Sequence, residues 1–563
     1  MIHNIRKSWS VLIAAAIVLA GCNDTLTEKP AGSYDEATYF DSAEHAEMAI
    51  YGILSSISEN THYGWYEMAT PASDDTYFTN RTNSDNGIHD VVHYIATPTN
   101  TVTEKLWQLK YQAIDRANRA VAGIESMPEY VKSDKLKQLA GEARFLRALM
   151  AFDLVKAWGD VPFTTECTST YEEAFRPRTP REEIYAQIET DLEEAASRLP
   201  WASSGESAER ATAGAAHAMM MRVEMQRAGY SLQLDGSMTR PDESDRWNML
   251  TKVIKHWEAI ETQGYHGFHA GGYDGLFKDL CYGKPENREN IWEVAMEQEQ
   301  GRRNGSAWGI YNGPAVSEPT GIPSNEASAY MGRSNAMFVV VPEWRDFYED
   351  TDVRRDVNIC TYRYTWNAEE RVHVKQERNN TSWYVGKWRR EWMNPADWNK
   401  NINYGDVNFV VLRYADMMLL AAEAYAETRE TDKAWTLISK VRERAGASSV
   451  NSSSFSKAYA KALKNYKPTF AGDDSETGKI LQALYFERAF EMCFEGVRKY
   501  DLIRWGCLYD ALCLFGQSSV VNANKMAYPA YKNFIPGHSE LQPIPLKEIQ
   551  SNPKLEGINN PGY

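Results

Sequence analysis

Glu487, Glu491 and Glu495 recur every four residues, with Arg488, Arg498 and Asp501 close by. Paired carboxylates can do acid/base chemistry, but glycoside hydrolysis needs two of them facing each other across an open cleft at a set separation. A ladder along one apolar helix does not offer that, and Arg and Glu three or four residues apart pair with each other. We read the ladder as structural. His89-Asp-Val-Val-His93 has the outline of a zinc helix, yet Asp90 is one methylene short of the Glu base, and the β-branched Val91 and Val92 suggest a strand. In a strand His89 and His93 would share a face ~6.6 Å apart. His266-Gly-Phe-His269 lies in a Gly-rich loop with no third ligand in view, and no serine-hydrolase elbow, phosphate loop or dinucleotide fingerprint occurs. No catalytic residue, cofactor or metal site is expected.

The residues that invite a different chemistry are aromatic. The chain has 17 Trp and 32 Tyr, many in stretches rich in Gly and Asn that cannot be helix interiors. In Tyr63–Gly87, Trp65 and Tyr77 offer ring faces, while Asp74, Arg81 and Asn83 grip hydroxyl groups with two hydrogen bonds at once. A sugar needs both: its apolar face stacks, and its hydroxyl rim takes planar polar partners. Trp308, Tyr311 and Tyr330 stand in loops with too few apolar neighbours to bury them all, so some should face solvent and join Trp65 and Tyr77 in one platform. The stretch Thr361–Tyr404 carries five more Trp and an excess of Lys and Arg, and is read chiefly as loops anchored on the scaffold by their indoles.

Helices must position these loops. Apolar residues at helical spacing mark Ser42–Ser58, with Ser42 as N-cap, then Glu104–Ile124, Lys135–Trp158, a helix capped by Thr179 with Pro180 at its first position, Ala208–Ala228 and Arg246–Glu261. Residues 264–410 break into short strand-like runs and loops too long to be connectors. Helices resume over Val411–Gly446 as a tetratricopeptide-like pair, followed by a single long helix over Ile480–Gly506.

The front of the chain answers where it works. Val11–Ala20 is apolar but would rise only ~15 Å as a helix, half the ~30 Å of a bilayer core. Arg6 and Lys7 precede it and Ala20-Gly21 follow, as in an export signal. Leu19-Ala-Gly-Cys22 resembles a lipobox, in which Cys22 is acylated and becomes the mature N-terminus, anchored by several acyl chains. Residues 1–21 are thus the signal peptide and 22–40 a polar tether. A net charge of −16, from 61 basic and 77 acidic residues, argues against nucleic acid as a partner. The six further cysteines show no metal spacing and read as buried thiols, with room for one or two disulfides.

Several segments resemble the SusD/RagB nutrient-binding lipoproteins of Gram-negative outer membranes. They are Glu142–Phe163, Ile184–Pro200, Arg413–Glu427, Val441–Gly446, Phe494–Gly506 and the ending Leu541–Tyr563, in family order over the whole mature chain. The resemblance implies a mainly α fold: an N-terminal helical region (41–263), an irregular ligand-binding region (264–410) and a C-terminal helical region (411–563) on a tetratricopeptide-like scaffold. It also implies a SusC-like TonB-dependent barrel as partner at the cell surface, no enzyme activity, and ligand contacts from the early loop and from Gly305–Gly313 and Ala327–Gly332. The ligand is expected to be an oligosaccharide or polysaccharide, with peptide possible. The alternative is a helical-repeat scaffold that binds peptides or proteins only.

Overall fold

The computed structural model describes residues 39–563 apart from 70–72, 79–83, 298–303, 324–325, 327–328, 399–403, 469, 471, 473 and 517–529. The signal peptide, Cys22, most of the tether, Arg81 and Asn83 lie outside the described residues.

The first half is helical, as its periodicity predicts. Helices α1 (Ala43–Ile57), α2 (Thr101–Ser126), α3 (Asp134–Trp158), α4 (Arg181–Arg198), α5 (Ala213–Arg227) and α6 (Glu243–Gln263) each pack on the next or next but one. Side-chain caps start most of them: Ser42 on α1, Asn100 on α2, Ser133 on α3, Thr212 on α5 and Asp242 on α6 accept from backbone N–H groups of the first turn. Thr179 does not cap α4. It bridges Val161 as an extended residue, and Pro180 takes the cap position without a side-chain bond. The C-terminal pair is α7 (Tyr414–Glu427) and α8 (Thr431–Arg444), packed on each other and on α9 (Glu476–Met492). The predicted long helix over 480–506 is broken: α9 ends at Met492, Phe494 (φ +66°) and Gly496 (φ +78°) turn the chain, and α10 runs Arg498–Arg504.

Strands are short. A four-stranded sheet has the order β1–β5–β9–β6, from β1 (Thr76–Phe78), β5 (Phe338–Val340), β9 (Tyr384–Val385) and β6 (Ile359–Cys360). Among the described residues three two-stranded ribbons accompany it: β2 (Ser231–Leu232) with β3 (Met238–Thr239), β4 (Asn290–Val294) with β10 (Phe409–Arg413), and β7 (Tyr362–Asn367) with β8 (Val372–Glu377). One contiguous apolar cluster runs through both helical regions and under the irregular one. The six described cysteines are all free thiols, so the disulfides allowed by the sequence do not form.

The glutamate ladder holds this fold, though not through neighbours on its own helix. Glu487 pairs with Arg354 (2.9 Å) and Arg442, Glu491 with Arg413 (2.6 Å) and Arg444, and Glu495 with Lys387 (2.5 Å) and Arg413 (3.0 Å). Glu487 and Glu491 are fully buried, so these cations stitch α9 to α8, β10 and the irregular region where water cannot compete. His89–Val92 is helical, within Ile88–Val92, not a strand; the Asp90 carboxylate takes the N–H groups of Asp85 and Asn86 and fixes the turn that starts it.

Candidate functional site

Three loops meet at one edge of the irregular region, and backbone hydrogen bonds join them. Ala307 N donates to Gly64 O (2.8 Å), tying the early loop to the 304–313 loop. Ser306 and Gly405 exchange both of their bonds (2.8 and 2.7 Å), which brings in the loop before β10. The Gly64 contact needs glycine: a Cβ there would stand 2.5 Å from Asn60 Cα and 2.8 Å from Gly305 O. Asn304 Nδ2 adds a bond to Ser58 Oγ (2.7 Å).

On this frame the rings of Trp65 and Tyr311 pack at 4.8 Å and 33°, both partly exposed. Trp65 also meets Tyr66 at 5.4 Å and 47°. Burial pushes the Tyr66 and Tyr404 phenols up; Tyr404, the Asp85 carboxylate and Tyr311 add to it at Tyr66, and Tyr311 adds to it at Tyr404. Such angled rings expose faces to an apolar partner, and the tyrosine edges carry hydroxyls; the Trp65 indole N–H is buried and has no partner among the described residues.

The platform is braced from behind. Lys110 Nζ, buried on α2, donates to Glu67 Oε2 (2.7 Å), Asp153 Oδ2 (3.0 Å) and His62 Nε2 (3.2 Å). Tyr63 donates to the same Asp153 oxygen (2.6 Å), and His62 Nδ1 donates to Ser56 O (3.0 Å). His62, Glu67 and Asp153 have the look of a metal triad, but the Lys110 ammonium sits among all three ligand atoms. Burial, then the Lys110 charge, brings the His62 pKa down to about 3, so it stays the neutral acceptor this clasp requires. The clasp holds residues 62–67, and with them Trp65 and Tyr66, against α2 and α3.

Of the residues singled out from sequence, Trp65 and Tyr311 come together as expected. Trp308 does not face solvent. It is fully buried, packed against Trp388 (5.1 Å) and Phe409 (5.2 Å), while Tyr311, three residues on, stays partly exposed. Asp74 is also buried, held bidentately by Arg498 (2.9 Å twice) and by the Tyr485 hydroxyl (3.0 Å), so it is a fold residue and not a sugar ligand. Tyr77 is buried in β1, opposite Val339. Tyr330 is half-buried and belongs to another cluster, edge-on to Trp366 at 4.8 Å beside the β7–β8 ribbon. The remaining Trp of the 361–404 stretch anchor loops as expected: Trp388 is buried, Trp398 donates to Arg390 O (2.9 Å), and Trp383 donates to Arg378 O (3.2 Å). Sequence reasoning missed Tyr66 and Tyr404. Tyr404 stands in Asn-Ile-Asn-Tyr-Gly-Asp, the kind of apolar-poor loop that marked Tyr311.

A model described as the SusD family matches residues 288–563, and one described as starch-binding, associating with the outer membrane, matches residues 26–225. The chain is 24% identical to SusD-like protein P25 of Formosa agariphila, over 99% of this chain and 100% of that one. A SusD homologue of Bacteroides thetaiotaomicron superposes with a TM-score of 0.74 at 23% identity, covering 94% of this chain and 98% of the other. Surface glycan-binding protein A of the same organism, solved in complex with laminarihexaose, superposes with a TM-score of 0.66 at 18% identity, covering 92% and 99%. With two family models spanning both helical regions and the fold shared throughout, the chain belongs to the SusD/RagB family.

Proposed function

We propose that this protein is a cell-surface binding lipoprotein, anchored through Cys22 in the outer membrane, that captures an oligosaccharide on the Trp65–Tyr311 platform and passes it to a SusC-like TonB-dependent transporter. The observation that carries the reading is the pairing of Trp65 and Tyr311, 246 residues apart in sequence, partly exposed on a braced frame. An aromatic pair held half-open forgoes burial, and stacking on a pyranose face gives it a purpose. The description of the family's N-terminal model and the laminarihexaose complex of a relative support a glycan as the ligand.

The test is affinity-gel retardation and glycan-array binding of the soluble protein made without residues 1–22. Wild type is expected to be retarded by at least one polysaccharide, and the Trp65→Ala/Tyr311→Ala double variant to migrate freely. Equal retardation of the two would place the ligand elsewhere. Pull-down from gently solubilised outer membrane is expected to recover a β-barrel partner with the native lipoprotein, and recovery of the lipoprotein alone would refute the delivery step.

A further inference from the structure

Away from the platform, two hollows of about 580 and 500 Å³ lie on either side of the β2–β3 hairpin, and Arg240, just after β3, lines both. Neither shares a lining residue with the platform. Each volume falls in the range of small-ligand sites.

The walls are fixed. Between α5 and α10, Tyr230 N donates to Arg504 O (2.8 Å), and the Tyr230 ring lies against Gly506, where a Cβ would come within 3.0 Å of it. Arg504 Nη2 grips Glu423 (2.8 Å), Trp505 Nε1 donates to the same carboxylate (2.8 Å), and Arg246 holds Glu427 while donating to Ala228 O (2.9 Å). In the second hollow Arg227 pairs with Glu182 (2.7 Å) and Lys252 with Glu189 (2.8 Å).

Against these satisfied walls, three planar charged groups stay uncommitted among the described residues. The exposed Arg240 guanidinium lies over the Tyr230 ring at 5.1 Å and forms no ion pair; in the furrow that the two hollows make on either side of it, Asp510 lines the first hollow and Asp245 the second, both exposed and paired with no cation. Tyr509, 41% exposed, adds an aromatic face beside Asp510. One free cation and two free anions do not select an anionic ligand. Each can, however, hold two adjacent hydroxyls at once, and an aromatic face beside them completes a saccharide-type surface.

We infer that this furrow is a second saccharide-binding site, which lays a neutral glycan chain across Arg240 between Asp245 and Asp510 with one ring against Tyr509. The inference rests on the proposed reading of the ligand as a glycan, but on none of the platform's residues. It gives the protein two grips on one polymer, so that a chain released from one site stays near the other.

Calorimetry with laminarihexaose, maltohexaose, xylohexaose and mannohexaose tests it on four forms of the soluble protein: wild type, Trp65→Ala/Tyr311→Ala, Arg240→Ala/Tyr509→Ala, and Asp510→Asn. At least one hexaose should bind wild type at two sites per chain and the platform double variant at one. The furrow double variant should lose the second site, and Asp510→Asn, which keeps the shape, should weaken that site about tenfold. One site in wild type that disappears with the platform variant overturns the furrow and leaves the platform standing. Full binding by the furrow variants overturns the furrow as well, and binding of none of the four sugars overturns both readings. Binding that survives the platform variant and is lost in the furrow variant supports the furrow and refutes the platform.

Discussion

Trp308 and Tyr311 stand three residues apart in one loop, yet replacing each by alanine should give opposite phenotypes. Trp308 is fully buried between Trp388 and Phe409, and truncating such a ring costs about 3–5 kcal/mol in lost transfer energy and residual cavity. An unfolding entropy of about 2.1 cal/mol/K per residue gives about 1.2 kcal/mol/K for this chain of 563 residues, so Tm should fall by about 3–4 °C. Tyr311 is only half-buried, and its one described ring partner is Trp65. Its removal should cost about 1 kcal/mol of stability and move Tm by about 1 °C, within the ~0.5–1.5 kcal/mol that an aromatic pair contributes beyond its buried area. A sugar stacked on that face would lose a similar energy, which near 1.4 kcal/mol is a tenfold change in Kd. Scanning calorimetry and titration calorimetry on Trp308→Ala, Trp308→Phe and Tyr311→Ala read both quantities, the Phe variant keeping a buried ring at the position. Wild-type Tm in Trp308→Ala would refute the burial argument. Wild-type affinity in Tyr311→Ala would refute the platform.

Asp74→Asn should be among the most damaging single changes, costing about 3–5 kcal/mol, because it leaves the Arg498 guanidinium buried without its counter-charge; a variant with wild-type chemical-denaturation midpoint would contradict this. Cys22→Ala should release the protein from membranes while its far-UV circular dichroism stays that of wild type; intact-mass analysis of the extracted wild-type protein should show an acylated chain beginning at residue 22, and an unmodified mass would rule the anchor out. Acid should unfold the protein as Asp416 titrates. Burial opposes its charge, but Arg222 and Arg488 outweigh that and bring its folded pKa down to about 2 from 3.8. Its contribution is therefore complete above pH ~4 and lost as pH falls towards 2, and Tm measured from pH 5 to 2 should decline less in Asp416→Asn, from a lower start. Glu224 behaves in the opposite sense: burial, then the Glu189 carboxylate, raises its pKa to about 8, so it favours the fold below pH 4.5 and ceases to as pH rises through 8. Glu224→Gln should flatten the Tm profile between pH 6 and 9, and an unchanged slope would show that another group sets it.

The helices were legible because their signals are local. An apolar stripe and a capping side chain sit within one turn of each other, so Ser42 on α1 and the region of each later helix could be read directly. What failed needed information from elsewhere in the chain. The break after Met492 depends on Phe494 adopting a positive φ, which no helical propensity foretells, and the break frees Glu495 to meet Lys387 and Arg413. Asp74 looked like a sugar ligand because its partner, Arg498, lies 424 residues away. Trp308 looked exposed because its covering rings come from positions 388 and 409. For the same reason composition could say that some loop aromatics had to remain at the surface, but not which.

Those nonlocal partners also explain why the platform can be both rigid and open. Trp65 ends a turn and Tyr66 opens the short helix Tyr66–Ala69, and a turn with two half-exposed rings at its end would ordinarily collapse inward to bury them. Here the turn's own interior is already spent on polar bonds: His62 to Ser56 and Lys110, Tyr63 to Asp153, Glu67 to Lys110. Folding the rings inward would break bonds to a fully buried ammonium and a fully buried carboxylate, each of which costs more to leave unpaired than the rings would gain. On the other side, Trp308 is packed against Trp388 and Phe409, and the backbone bonds between residues 306 and 405 tie Gly405 to the 304–313 loop. The buried charges near the site therefore need no catalytic role. By their cost of exposure they hold the Trp65 and Tyr66 rings half-open to solvent.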